Sequence, residues 1–372
     1  MRSAVVYGPN AAGKTNLLIA LQFVQNLVVN SATWQQGNEL PYAPFKFSPT
    51  SRNKPSRFQV TFIQDKVLYE YGVSADATRV YEEWLVAYPV GRPQRLFERR
   101  YEKRAYQWKF STHLKGNRKV WKDATRPNAL FLSTAVQLNN TQLIPVYEWF
   151  QKRLVVIAGN TKFNPALTVT LLDRRDGKEI LLPFLHAADL GIADVDVLRE
   201  PLVPGLAING SRMLVAEPGK SPVLVRVTML HQLGQKEESV VGLDFSEESS
   251  GTQALFLSAG AWLNVLDKAE VLLFDEIDTS LHPLITRFLV GMFNSKERNK
   301  LNAQLLFTTH DTSLLEDDFL RRDQVWFVEK NRDGQSELTP LTDFSPRKSE
   351  AIARGYLRGR YGALPIVREF VS

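Results

Sequence analysis

The stretch Gly8-Pro9-Asn10-Ala11-Ala12-Gly13-Lys14-Thr15 fits the pattern G-x-x-x-x-G-K-[ST]. A short apolar run, Ala4 to Tyr7, precedes it. Asn16 to Asn30 follows, with Leu17, Leu18, Leu21, Val24, Leu27 and Val28 recurring at three- and four-residue spacing. Strand, glycine-bounded turn and amphipathic helix, in that order, are the context in which the pattern cradles phosphate. The residue types explain why. Gly8 and Gly13 let the backbone turn tightly and aim its N–H groups at phosphate oxygens. The helix start adds the positive end of its dipole. The Lys14 ammonium suits the β/γ-phosphates and the Thr15 hydroxyl suits Mg²⁺. Pro9, Asn10, Ala11, Ala12 and Asn16 complete the expected nucleotide-binding set. Outside this context the same residues read as a glycine-rich turn with a surface lysine.

Two more apolar runs end in polar residues. Val271-Leu272-Leu273-Phe274 runs into Asp275-Glu276, and Leu305-Leu306-Phe307-Thr308-Thr309 runs into His310. Runs of this kind suit strands buried on both faces of a parallel sheet, where ligands bind at the carboxyl ends. The first fits a Walker B pattern. Asp275 is then the Mg²⁺ ligand beside Thr15, and Glu276 the catalytic residue that polarises the attacking water. The other reading is a strand end with two exposed acids. His310 reads either as a second catalytic group, contacting a γ-phosphate or the water, or as a satisfied core histidine. Ser249-Ser250-Gly251-Thr252-Gln253 opens a helix just before the Asp275 strand. It reads as an anion site, with Ser250, Gly251, Thr252 and Gln253 on a nucleotide, or as an ordinary N-cap.

Composition narrows the class. The chain has 372 residues, 44% hydrophobic, and no cysteine. That excludes disulfides and cysteine-ligated zinc and suits a reducing, cytoplasmic setting. No apolar run is long enough to span a membrane. The net charge is +6, yet residues 92–126 hold twelve Lys and Arg against three Asp and Glu. There Arg95, Arg99, Arg100, Lys103, Arg104, Lys109, Arg118, Lys119 and Lys122 alternate with Phe97, Tyr101, Tyr106, Trp108 and Trp121. This segment reads as a DNA or RNA contact, as a solvated hairpin face, or as a dock for an acidic protein.

Between the motifs, a meander of short strands is expected from Phe58 to Ser111 and a helix or strand-to-helix junction over 128–140. In 141–240 only a strand at 154–158, a helix at 181–190 and a strand at 223–230 are legible. Asp194-Val195-Asp196 resembles a nuclease acidic pair but reads better as a loop. Asn299-Lys300-Leu301-Asn302 lacks the final Asp of a guanine-reading motif, which favours ATP over GTP.

The order of these motifs resembles the ABC-type ATPases. Ser250-Gly251-Thr252-Gln253 looks like a variant of their L-S-G-G-Q signature, with Ser249 for the leucine. Asp278 to Leu281 sits where their D-loop lies, and His310 where their switch histidine lies. Gln137 is the candidate for their Q-loop. Asp275 to Pro283 and Phe307 to Leu315 resemble the OLD/RecF/SMC-like branch. With the tail Gly355 to Pro365, they most resemble bacterial AAA-family ATP-binding proteins of the abortive-infection (AbiL-like) and restriction-linked type. The resemblance implies an α/β fold: a P-loop NTPase head of ABC type, with a β-rich N-terminal meander and an inserted mixed or helical lobe. Residues 1–140 and 241–372 would form the two parts of the head and 141–240 the lobe. Usual members have strands ahead of the loop strand, so the adenine-stacking residue has no candidate here. The stretch after His310 is short for a Toprim nuclease domain.

The implied cofactors are ATP and Mg²⁺. Two copies would sandwich two ATPs head to tail, each signature completing the other copy's site, as a homodimer or part of a higher assembly. The implied role is an ATP-hydrolysing switch in an anti-phage, abortive-infection-like system, acting on a separate effector protein such as a nuclease. The alternative is a RecF/SMC-like DNA-binding ATPase of repair or maintenance. A regulatory scaffold without turnover is the third reading.

Overall fold

A computed structural model of the chain describes residues 1–158, 165–188, 191–202, 212–215, 221–233, 240–347 and 351–364. Pro365 of the tail motif, Asp189-Leu190 of the helix expected at 181–190, and several stretches of 141–240 lie outside the described residues. The chain opens with β1 (Ser3–Tyr7) and α1 (Lys14–Asn30), then the meander β2 (Ser56–Gln64), β3 (Val67–Ala75), β4 (Val80–Tyr88), β5 (Gln94–Glu102) and β6 (Ala105–Phe110). Next come α2 (Arg118–Ala124), α3 (Phe131–Gln137), α4 (Ile144–Glu148), β7 (Leu154–Ile157), α5 (Ala166–Leu172) and α6 (Gly177–Ala187). The strands β8 (Ile192–Glu200), β9 (Arg212–Val215), β10 (Val223–Gln232) and β11 (Val240–Asp244) follow. The chain then forms α7 (Ser250–Lys268), β12 (Val271–Phe274), α8 (Pro283–Asn294), β13 (Gln304–Thr308), β14 (Val325–Lys330), β15 (Ser336–Pro340) and α9 (Ile352–Leu357).

These elements fall into two units. One comprises Met1–Tyr7, Ile157–Trp326 and Pro340–Tyr361; the other comprises Gly8–Val156, Phe327–Thr339 and the chain from Gly362. The divisions fall inside β7, β14 and β15 and directly after Tyr7 and Tyr361.

In the first unit β1, β13 and β12 are parallel neighbours, with Val5 opposite Phe307 and Phe307 opposite Phe274. Val5, Leu272, Leu273, Phe274 and Phe307 are all buried, as uninterrupted apolar strands require when both faces are covered. The Trp262 ring of α7 stacks on Phe274 with centroids 4.9 Å apart. Burying a side chain of that class contributes about 1.5–3 kcal/mol. A separate antiparallel sheet has β10 between β8 and β11, with β9 also on β10. Val225, Val227 and Met229 alternate along β10 and are fully buried. Asp194 and Asp196 lie on β8, not in the loop their sequence suggested, and Lys178 takes both carboxylates, at 2.8 and 3.4 Å. Both aspartates thus tie β8 to Lys178 of α6.

In the second unit β2 to β6 form an antiparallel meander in chain order. Gly72 is dictated by its neighbour: a Cβ there would stand 1.8 Å from the Trp84 ring. Glu83 of β4 and Arg99 of β5 are a fully buried ion pair, Arg99 Nε lying 3.0 Å from Glu83 Oε2. The Glu83 carboxylate also accepts from the Phe131 and Leu132 N–H groups at 2.7 and 2.9 Å and from the Tyr71 hydroxyl at 3.1 Å. It thus caps the start of α3 where that helix has no side-chain cap of its own. Helix α1 is tied to the same layer by the Ser133 hydroxyl, which donates to the Val28 carbonyl at 2.6 Å, and by the Gln25 amide, which donates to the Phe150 and Leu154 carbonyls.

Candidate functional site

The phosphate-loop residues hold each other. Ala11 and Gly13 have φ of 62° and 109°, so two left-handed residues shape the turn, and the Ala12 N–H closes it on the Pro9 carbonyl at 3.2 Å. Gly13 is the N-cap of α1, which lacks a side-chain cap and carries no acid in its first turn. Such a helix start favours an anion. Gly13 tolerates no side chain: a Cβ would meet the Ser336 hydroxyl oxygen at 2.3 Å, and the φ is strained for any other residue. Gly8 is equally confined, since its Cβ would lie 2.4 Å from the Val328 carbonyl. Lys14 is only 5% exposed, and its Nζ donates to the Gly8 and Pro9 carbonyls at 2.9 and 3.3 Å. The ammonium is therefore aimed across the loop mouth. Thr15 is half-buried, and Asn10 and Asn16 are exposed.

The β14–β15 hairpin supports this loop, which the sequence did not reveal. The Ser336 hydroxyl donates to the Ala12 carbonyl at 2.6 Å, and β14 backs Gly8. No local pattern links residue 336 to residue 12; only strand placement does.

In the first unit, parallel pairing sets the carboxyl ends of β1, β12 and β13 on one sheet edge. Asp275-Glu276 and Thr309-His310 leave from that edge, and Gly8 directly follows Tyr7, the end of β1. The Thr308 hydroxyl donates to Asp275 Oδ1 at 2.7 Å and accepts the Glu276 N–H at 2.7 Å. Glu276 takes a φ of 50°, which turns its side chain outward, and it is exposed. Asp278 accepts the Thr309 hydroxyl at 2.7 Å and the His310 N–H at 3.3 Å. His310 is exposed, so it is not a core histidine.

Tyr7 is fully buried, and its hydroxyl donates to the Asp311 carbonyl at 2.8 Å. Burial first, then the charges of Asp311, Tyr356 and Asp278, raise its pKa well above that of a free phenol. It therefore stays a neutral donor and pins the segment after His310. Tyr356 of the tail packs on its ring at 5.5 Å. Thr308, Tyr7 and the role of Asp278 escaped the motif reading, though the adjacent threonines of Phe307-Thr308-Thr309-His310 were the available signal.

At the start of α7 the Ser249 hydroxyl caps the Thr252 N–H at 3.1 Å, and the Gln253 amide turns back to the Phe245 and Glu248 carbonyls, each at 3.0 Å. Ser250 begins the helix and is exposed. Gly251 lies against the D-loop position, its Cβ site 3.0 Å from the Ser280 carbonyl. Gln137 ends α3 and is exposed.

Part of the basic segment is committed to the meander. Arg99 is buried, its guanidinium facing the Tyr106 and Trp108 rings at 5.4 and 5.6 Å. Arg95, Arg100 and Lys109 gather on the Glu98 carboxylate. Phe97 and Trp121 are core residues. The exposed cations that remain include Lys103, Arg104, Lys119 and Lys122.

The model of one protein family, described as "AAA domain, putative AbiEii toxin, Type IV TA system", matches residues 3–316. The chain belongs to this AAA family. The matched AAA region runs from β1 past His310 and includes the phosphate loop, Ser249 to Gln253 and Asp275-Glu276. The family description names AbiEii, not AbiL. No curated protein matches the chain. Among solved structures, the SmcHead bound to the C-winged helix domain of ScpA is similar, with a TM-score of 0.41 and 16% identity over 91% of this AAA chain and 89% of that one. Among the described residues no helix is long and apolar enough to cross a membrane.

Proposed function

We propose that the chain is an ATP-hydrolysing switch that closes as a head-to-tail dimer. The observation carrying this reading is the paired anchoring at one sheet edge, with Thr308 on Asp275-Glu276 and Asp278 on His310, where β1 hands over to the phosphate loop.

ATP and Mg²⁺ fit the residues present. The Gly13 conformation and the buried Lys14 make an anion cradle, and Thr15 and Asp275 supply the hydroxyl and carboxylate oxygens that Mg²⁺ prefers. Among the described residues no group of three or more His, Cys, Asp or Glu could hold a metal alone. The ion would therefore rely on phosphate oxygens as well. When bound, Mg²⁺ would neutralise charge on the β- and γ-phosphates.

In this reading the backbone of Gly8 to Thr15 with Asn16 grips the phosphates, and Lys14 leaves the loop carbonyls for them. Glu276 orients water for attack, and the general-base share of such a group is about 10²–10⁴-fold. His310 contacts the γ-phosphate. Ser250, Gly251, Thr252 and Gln253 of a second copy complete the site. Each charge-assisted contact adds about 1.5–3 kcal/mol. A few suffice for the roughly 5.5 kcal/mol that moves a two-state balance from 1:99 to 99:1.

Membership of a family described by toxin–antitoxin systems supports a bacterial defence role with a separate effector. Light scattering of Glu276→Gln with ATP tests the switch. A stable dimer is expected, and a variant that stays monomeric with ATP bound rules the sandwich out. The DNA-maintenance reading draws on the exposed cations Lys103, Arg104, Lys119 and Lys122. It requires DNA affinity that falls with salt at a slope of about −0.9 per phosphate contacted.

A further inference from the structure

A groove of about 940 Å³ lies in the first unit between α5, α6, α7, α8 and the chain at Arg298–Leu301. Its walls are apolar: Leu167, Leu171, Phe184, Leu263, Phe288 and Leu301. Leu167 and Leu301 are 41% and 57% exposed, so the apolar wall is open to a partner. Tight helix packing forms the floor. Gly260 of α7 lets α5 approach so closely that a Cβ would meet the Leu167 carbonyl carbon at 2.3 Å.

The charge around this groove is one-sided. Arg174, Lys268, Arg298 and Lys300 line it, against the single carboxylate of Asp267. Arg174 is shared with Asp176 at 2.9 Å and approaches Asp267 only to 3.9 Å. Arg298 lies over the Phe288 ring at 5.3 Å, at the boundary of apolar wall and charge. An occupant with apolar residues on one side and acids flanking them would match both properties.

The position is also informative. The last turns of α7 lead into β12, and Leu301 leads into β13. The groove therefore stands beside the amino ends of those strands, opposite the edge that carries Asp275 and His310. Helix α7 spans 19 residues, about 28 Å, and joins the groove at one end to Ser250–Gln253 at the other.

We infer that this groove is the docking site for an amphipathic helix of a partner protein whose polar flank is acidic. A helix laid in a groove by anchors at i, i+3, i+4 and i+7 is an established mode of recognition, and half-exposed leucines under a cationic rim suit its acidic form. The inference does not require nucleotide, although the proposed switch would give the partner something to sense.

The test uses the full chain without ATP and two labelled model helices of about five turns each. They share one leucine-rich face, and one has a glutamate-rich flank while the other has a lysine-rich flank. Fluorescence anisotropy should show the acidic helix binding at least about tenfold tighter. Leu301→Asp should abolish that binding. The pair Arg298→Glu with Lys300→Glu should reverse the preference while leaving the thermal midpoint near wild type. Equal binding of both helices, or binding that survives Leu301→Asp, overturns the inference. So does self-association that disappears with Leu301→Asp, because the groove would then be filled by a second copy. ATP binding measured in parallel separates this result from the nucleotide reading.

Discussion

The Thr308 hydroxyl donates to Asp275 Oδ1 at 2.7 Å while accepting the Glu276 N–H at the same distance. One buried threonine on β13 therefore contacts both carboxylate-bearing residues that follow β12, across the parallel β12–β13 register. Thr308→Val keeps the shape and removes the hydroxyl. The Glu276 N–H loses its partner, which costs about 1–3 kcal/mol. The expected outcome is a lower urea midpoint and a fall in kcat larger than the change in KM for ATP, with Thr308→Ser recovering most of both. Unchanged kcat in a folded Thr308→Val protein would detach this contact from catalysis.

Gly13 and Ser336 make the second test. Gly13→Ala puts a methyl group where the Ser336 hydroxyl oxygen lies and forces a φ that alanine resists. ATP should then give no thermal stabilisation. Ser336→Ala removes the 2.6 Å contact to the Ala12 carbonyl but leaves the turn, so binding should weaken only a few-fold. The double variant Gly13→Ala with Ser336→Ala relieves the collision but not the backbone strain. It should recover little, which calorimetric titration with ATP can check.

The buried pair Glu83–Arg99 predicts a stability effect without a catalytic one. Glu83→Gln leaves Arg99 as a buried charge facing an amide, and breaking such a pair costs about 3–5 kcal/mol. Replacing the pair by Leu and Met removes the charge but also leaves the Phe131 and Leu132 N–H groups and the Tyr71 hydroxyl without their acceptor, so it should be no less damaging than Glu83→Gln, as read by denaturant midpoints.

Glu98 sets part of the acid limb of stability. Burial pushes its carboxyl up, but Arg95, by hydrogen bond and charge, with Arg100 and Lys109, outweighs that and holds it below the usual range. A depressed folded value means the contribution is present above the unfolded pKa of about 4.3 and is lost as pH falls through the folded one. Glu98→Gln should therefore be less stable than wild type at neutral pH, and the two should converge as the medium becomes acidic. A constant gap across that window would contradict the assignment.

Much of this was legible along the chain, because the strongest signals are local. Gly8 to Thr15 fixed a strand, a turn and a helix, and the structure has β1 and α1 on either side. Val271–Phe274 and Gln304–Thr308 were apolar throughout and are parallel neighbours. The meander was readable from period-two alternation and turn residues, and its boundaries shift by only a few residues. The illegible parts depend on distant partners. Strand β8 mixes Asp194, Asp196, Arg199 and Glu200 with valines, so its pattern resembles a loop until β10 and Lys178 satisfy it. Arg99 looked like a surface cation because nothing local announces Glu83 across the strand pair. Ser336 and Thr308 act through a single hydroxyl each, and a lone hydroxyl leaves no periodic trace.

Turnover in the Glu276→Gln protein, measured beside equilibrium ATP binding, tests most directly whether the phosphate loop and the Asp275-Glu276 edge serve one reaction. Wild type should hydrolyse ATP, and Glu276→Gln should bind ATP as tightly while turning over about 10²–10⁴-fold more slowly. Hydrolysis that is undiminished in the variant, or a wild-type protein that binds no ATP, would contradict the proposed function.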